Sequence, residues 1–207
     1  MKGVLPTSER IYRAVKAELL EASFTPGERI EAVELTRRHM ASLTPIRAAL
    51  HRLAGEGLVD ARAGEGFHAP LVTEVSLRDL YAWNGHVILL ALQLSPQGAA
   101  QAAGTEPAAD TQVKDIPGAT ASLFATIGGQ SGNEHCAAAI LQLNDRLHPA
   151  RRLEGGLIKD FEQELEDLID KLGDHHATDI RSTIASYHRR RVRLSAELVR
   201  LMHRRTA

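Results

Sequence analysis

Residues 24–68 read FTPGERIEAVELTRRHMASLTPIRAALHRLAGEGLVDARAGEGFH, and the order of signals in this stretch leaves few folds open. Thr25-Pro26-Gly27 is a turn, because Pro fixes φ and Gly admits positive φ. Ile30 follows as a buried anchor. A short helix is expected over residues 32–39, then a turn at Ala41-Ser42-Leu43. Thr44-Pro45 starts a second helix, since Pro is tolerated in a first turn. Ile46, Ala49, Leu50 and Leu53 recur at helical spacing and form its buried stripe. Gly55-Glu56-Gly57 stops it. Residues 58–63 and 67–71 read as two short strands joined by Gly64-Glu65-Gly66. Helix, tight turn, helix and glycine-tipped hairpin make a winged helix-turn-helix, a module that lays one helix in the DNA major groove. A further helix precedes it, capped by Thr7 or Ser8, with Tyr12, Val15, Leu19 and Leu20 on its apolar face.

The rest of the chain reads differently. Ser76 is expected to cap a helix from Leu77 to about Leu94, interrupted at Ser95-Pro96. Helical patterns then recur, with breaks expected at residues 104–107, 128–132, His148-Pro149, Gly155-Gly156 and Gly173-Asp174. No strand signal occurs there, so the second domain should be all-α. The expected fold is mostly α: a winged helix-turn-helix over residues 1–72 and a helical bundle over 76–207, divided between Leu71 and Ser76.

Composition supports this division. Aromatics make up only 4% of 207 residues against 43% hydrophobic overall, so the cores must be built from Leu, Ala, Ile and Val, which suits helices. The single cysteine, Cys136, excludes a disulfide framework within the chain. No apolar run is long enough to span a bilayer and no signal-peptide pattern is present, so a cytoplasmic, membrane-free protein is expected. The formal net charge is -1, so a DNA-binding surface must be a local basic patch.

The N-terminal pattern is similar to the GntR family of bacterial transcription regulators. The matching residues are TPGERI at 25–30, EL at 34–35, TPIRAAL at 44–50 and RLAGEGLV at 52–59, with the Gly-Glu-Gly tip after them. The helical half resembles the FadR-type C-terminal domain through LRDLY at 77–81, LFATIGGQSGN at 123–133 and the helix order. The resemblance implies a homodimeric repressor or activator, each subunit presenting one winged helix to half of a palindromic double-stranded operator. A small-molecule effector bound in the helical domain would control it.

Arg47 lies opposite the buried stripe, and the resemblance implies that it contacts a base or phosphate. Thr44 can donate to a phosphate or touch a thymine methyl. Arg37 and Arg38 can reach the backbone. Gly64, Glu65 and Gly66 form the wing tip. Two positions depart from the family: Leu43 stands where an Arg is usual, and Glu65 where a small or basic residue is usual. Both predict a changed operator preference.

In FadR-type domains one Asp and three His commonly hold a divalent metal that grips a carboxylate effector. Here the Asp and first His positions fall on Ala121 and Ala125, the next near Leu165-Glu166, and only His188 survives. The resemblance therefore implies no metal at that site and no other cofactor. Asn84 and Ile88 replace an Arg and a Glu that often face the pocket, so a more apolar pocket is expected, with Trp83, Asn84, Asn133, Arg146 and His188 as polar handles. Trp83 can equally be a packing contact and His188 a satisfied core histidine. The basic stretches 189–193 and 200–205 either pair with the acidic helix at 162–170 and favour their own helix C-terminus, or add contact to the DNA backbone. His175-His176 and His135-Cys136 carry no chemistry, because adjacent helical side chains diverge.

Two further readings remain open at this point. The helical domain can serve only to dimerise or to dock a protein, with no effector. An enzyme would need a nucleophile elbow, a phosphate loop, a Cys-x-x-Cys or a His-Glu-x-x-His, and none is present.

Overall fold

The computed structural model describes residues 7–95, 115–173 and 177–204. The chain divides into two units, residues 1–72 with 202–207, and residues 73–201. The expected break at 104–107 and the His175-His176 pair lie outside the described residues.

The first unit runs α1 (Thr7–Leu20), β1 (Arg29–Ile30), α2 (Ala32–His39), α3 (Leu43–Gly55), β2 (Asp60–Arg62) and β3 (Gly66–His68). Its three strands are ordered β1-β3-β2, all antiparallel. The expected hairpin is present as β2-β3, and β1 joins it to make a three-stranded sheet. Ile30, anticipated only as an anchor, pairs with Phe67 in β1, and backbone bonds from Gly27 to Ala69 and from Ala69 to Glu28 continue that pairing.

The wing strands are also shorter than expected. The N–H of Leu58 donates to Leu53 O and that of Gly57 to Ala54 O, while Gly57 has φ +74°. This is a Schellman ending, in which the left-handed glycine closes the helix and the next residue's N–H is committed to it. Leu58 and Val59 therefore bury as core residues, and the ladder begins only at Asp60.

Ile11, Val15, Leu35, Ile46, Leu50, Leu53 and Phe67 make the core. One flank of α3 is clamped to α1 by polar contacts. The Tyr12 hydroxyl donates to Glu56 at 2.8 Å and Lys16 Nζ to the same carboxylate at 3.1 Å. Arg52 donates to Glu9 at 2.9 Å and lies 3.5 Å from the Tyr12 ring centroid. The Glu9 carboxyl is held below its usual range by Arg13 and Arg52.

The second unit comprises α4 (Glu74–Leu94), α5 (Ile116–Gln130), α6 (Glu134–Glu154), α7 (Phe161–Gly173) and α8 (Ala177–Arg204), α8 running on by three residues into the first. The cap of α4 is Thr73, not Ser76. Thr73 Oγ1 accepts from the Ser76 N–H at 3.1 Å, and Ser76 Oγ accepts from the Thr73 N–H at 2.9 Å. In this reciprocal box Ser76 takes the third helical position, so the helix starts three residues earlier than expected.

His148-Pro149, expected to break the chain, lies inside α6. An interior Pro costs about 3 kcal/mol, but Ile140, Leu143, Leu147 and Ala150 are all buried on one face across it. Burying a full aliphatic side chain contributes roughly 1.5–3 kcal/mol, so the packing outweighs the proline. The core of the unit gathers Val87, Ile88, Phe124, Ile127, Ile140, Leu143, Leu168, Ile184 and Tyr187. Among the described residues, no helix is long and apolar enough to cross a membrane.

Candidate nucleic-acid interface and the polar centre of the helical unit

Helix α3 buries Ile46, Ala49, Leu50 and Leu53. At 100° per residue, Thr44, Arg47, Ala48 and His51 share the opposite side, and all four are exposed. Ala48 keeps the middle of that stripe flat. His51 is fixed by an edge contact to Phe67 of the wing, ring centroids 4.9 Å apart and planes at 76°. Ser42 occupies the cap position without a side-chain cap bond. The N–H groups of the first turn therefore point outward at the positive end of the helix, which suits a phosphate. His51 was not among the expected contacts, although its place one turn beyond Arg47 was readable from the helical period.

The other basic candidates divide. Arg37 is exposed on α2. Arg38 is also exposed but is engaged within its own unit: it ion-pairs with Glu18 and, at 3.2 Å, with Glu34, and its guanidinium lies 5.8 Å from the Phe24 ring centroid. Gly64 and Gly66 adopt φ of +77° and +88° at the wing tip. Glu65 between them faces Arg62 at 3.8 Å, and Arg62 reaches Asp60 at 3.9 Å. The wing carboxylate thus has a counterion within its own hairpin.

In the helical unit the structure brings together Asn84 and His188, whose Oδ1 and Nε2 are 3.0 Å apart. The other three proposed handles do not join them. Trp83 is 56% exposed on α4, Arg146 is exposed on α6, and the Asn133 side chain accepts from the Cys136 N–H as the cap of α6.

The expected apolar pocket is instead a polar centre. Arg151 and Arg191 are both completely buried. Arg191 donates to Glu154 at 2.9 Å through Nε and pairs with Glu164 at 2.6 Å through Nη2. The Tyr81 hydroxyl donates to Glu154 at 2.5 Å. Arg151 donates to Asn144 Oδ1 at 3.0 Å and to Asn84 Oδ1 at 3.3 Å. The expected pairing with the acidic helix occurs at Glu164 for the 189–193 stretch, where Arg190 also approaches at 3.4 Å, whereas in 200–205 Arg200 pairs with Glu197 of its own helix at 2.7 Å.

Burial sets the titration of this centre. It pushes His188 down to about 3, a fall that the Ile184 carbonyl opposes and Arg151 and Arg191 reinforce. It pushes Tyr187 up to about 12 and Tyr81 well above its ordinary value, with Glu154 adding to the rise. For Arg191 burial acts downward, but Tyr187, Glu154 and Glu164 together raise it.

Arg151, Glu154, Arg191 and Tyr81 were not anticipated. A signal existed: Asn144, Leu147 and Arg151 are spaced i, i+3, i+7, so the arginine falls on the buried stripe of α6. Arg191 falls likewise after Ile184 and Tyr187 on α8.

The donor set does not fit the divalent metal that the resemblance raised. Ala121 and Ala125 carry no ligating atom, Leu165 is buried, and both His188 nitrogens face protein oxygens. The Arg151 guanidinium disfavours a cation near His188. Among the described residues, no group of three His, Cys, Asp or Glu side chains is placed to hold a metal ion.

Comparisons with known proteins agree with this geometry. A family profile described as bacterial regulatory proteins, gntR family, matches residues 7–68. The Nta operon transcriptional regulator of Aminobacter aminovorans is 41% identical over 76 residues, 37% of this chain and 36% of that protein. The transcriptional repressor GlaR of Escherichia coli is 30% identical over 70 residues, 34% of this chain and 32% of that protein. The matched stretch thus spans about a third of these relatives. Solved structures extend the likeness of fold. Escherichia coli McbR/YncC gives a TM-score of 0.64 at 17% identity, over 94% of this chain and 99% of that one. A GntR structure from Rhodococcus sp. RHA1 gives 0.68 at 11% identity, over 93% and 97%. The folded segment from α1 to the end of the wing is therefore a winged helix-turn-helix domain of the gntR family of bacterial regulatory proteins.

Proposed function

We propose that this chain is a sequence-specific DNA-binding transcription regulator, acting as a homodimeric repressor whose operator affinity is set by a small metabolite in the helical unit. The observation that carries the reading is the outward face of α3. Thr44, Arg47, Ala48 and His51 lie on one side of a helix whose first-turn N–H groups are uncapped. Such a face inserts N-terminus first, with Arg47 positioned for a guanine edge and the helix start on a phosphate. The relatives named as an operon regulator and a repressor support the regulatory class. Two-fold pairing of the chain would present two such helices to half-sites about one helical turn apart. The effector would act by binding one dimer geometry better than the other.

The test is selection of bound genomic fragments at two salt concentrations, followed by binding titrations with Arg47→Ala. A palindrome with half-sites about 10 base pairs apart is expected. Arg47→Ala should weaken binding by about 1–3 kcal/mol and relax one position of each half-site. Sequence-blind binding by the wild type, or an unaltered preference in the variant, overturns the reading.

A further inference from the structure

Positive charge that folding does not use collects on one face of α8. Between residues 189 and 204 this helix carries six arginines and a single carboxylate, Glu197. Arg190 and Arg191 are directed to Glu164. The other four, Arg189, Arg193, Arg200 and Arg204, are exposed. At 100° per residue they fall within a sector of about 60°, and at 1.5 Å per residue they run for about 22 Å. One strand of B-DNA presents about six phosphates over that length.

Helix physics gives no reason for the stripe. Like charges four residues apart, as at Arg189–Arg193 and Arg200–Arg204, oppose a helix. The helix dipole favours cations only in the last turn, and Arg189 and Arg193 lie more than two turns before it. Among the described residues neither of these two pairs with a carboxylate, and Arg200 reaches Glu197 at 2.7 Å. The winged unit, by contrast, has much of its positive charge already matched: Arg29, Arg38, Arg52 and Arg62 each face a carboxylate. Affinity for a duplex comes largely from cations that neutralise phosphates, and unmatched cations are what α8 offers. The helix also ends in the winged unit. Residues 202–207 belong to that unit, and His203 Nε2 donates to Val72 O at 3.2 Å. The stripe therefore begins on the helical unit and finishes on the one that carries α3.

We infer that the Arg189–Arg193–Arg200–Arg204 face of α8 is a second DNA-binding surface, which tracks the phosphate backbone of the duplex engaged by α3 and raises affinity without reading sequence. This rests on the reading of the chain as a DNA-binding regulator, and it carries the contact beyond the winged helix-turn-helix.

The experiment is a fluorescence-anisotropy titration of the full-length protein against a labelled duplex of about 40 base pairs and arbitrary sequence, between about 50 and 200 mM salt. Phosphate contacts are sequence-blind, so no operator is needed. Removing two phosphate contacts with Arg189→Gln and Arg193→Gln together should make the slope of log K against log salt shallower by about 2 per bound subunit. Tm and sedimentation should stay as in wild type, because both side chains are exposed and unpaired. Arg189→Lys with Arg193→Lys should keep the wild-type slope, since a phosphate accepts a point charge. Arg181→Gln with Lys159→Gln removes the same charge from exposed positions off the stripe, and should also keep it. A wild-type slope in the double Gln variant overturns the inference, as does an equal fall in the off-stripe variant or a fall in the double Lys variant. A changed association state in the double Gln variant overturns it too, by showing that the stripe holds a second copy of the chain. Wild-type binding whose slope ignores the stripe sinks this inference alone, whereas no binding by wild type sinks the DNA-binding reading with it.

Discussion

Gly85→Ala should destabilise the helical unit although it improves the helix. Gly85 is buried in α4, and a Cβ added there would lie 2.9 Å from His188 Cγ, 3.1 Å from Cβ and 3.3 Å from Cδ2. Replacing a mid-helix Gly by Ala gains about 0.5–1 kcal/mol in backbone entropy. Against this stands an inserted methyl in a filled space, which costs about 1–3 kcal/mol. His188 has little freedom to withdraw, because Nδ1 donates to Ile184 O at 2.7 Å while its ring stacks on Phe124. Moving it would loosen those contacts, the hydrogen bond contributing about 0.5–1.5 kcal/mol. The balance is a net loss of roughly 1–3 kcal/mol. Urea unfolding followed by far-ultraviolet circular dichroism reads it. The same change made in a His188→Ala background removes the ring atoms and keeps only the 3.1 Å contact, so most of the cost should vanish, a coupling of about 1 kcal/mol or more. An equal effect in both backgrounds, or a wild-type gain of the full propensity term, would refute the close packing of α4 on α8.

Two other perturbations probe the same interior. Glu154→Gln leaves Arg191 with Glu164 alone and removes the charged acceptor of Tyr81, so unfolding free energy should fall by about 3 kcal/mol; a loss under 1 kcal/mol in urea titrations would show that the buried pair contributes nothing specific. Stability should also fall with acid in a way traceable to His188. Its folded-state pKa is depressed to about 3, so below an unfolded value near 6.5 the unfolded chain binds a proton that the folded chain refuses. That stability is present above pH 6.5 and is lost progressively as pH falls toward 3, with a slope of up to about 1.4 kcal/mol per pH unit. Between pH 6.5 and 5, His188→Gln should flatten the profile, and a slope unchanged by the variant would mean that the ring is not buried in neutral form.

Legibility in the sequence followed the range of the interactions. Proline, glycine and the 3.6-residue period are local, so α2, α3 and the wing tip could be placed, and Arg47 could be assigned to the outer face of its helix. β1 escaped because two residues have no period, and its pairing with β3 is made across almost forty positions. Thr73 was missed as a cap because either hydroxyl of a Thr-x-x-Ser pair satisfies the local pattern, and the backbone path chooses between them. Pro149 misled because its local cost is outweighed by contacts from other helices. In the helical unit the family comparison directed attention to positions where ligands had been lost. Arg151 and Arg191 stand on apolar stripes, where their charge looked like an interruption of the pattern rather than its centre.

The clamp between α1 and α3 fixes where the reading head can bend. Glu9, Tyr12 and Lys16 grip Arg52 and Glu56 near the C-terminal end of α3, while the core seals the faces between. A force on α1 is therefore transmitted to Arg47 without slack, as through a handle bolted to a blade. Any adjustment of the head toward its target must rotate α1, α3 and the wing as one body.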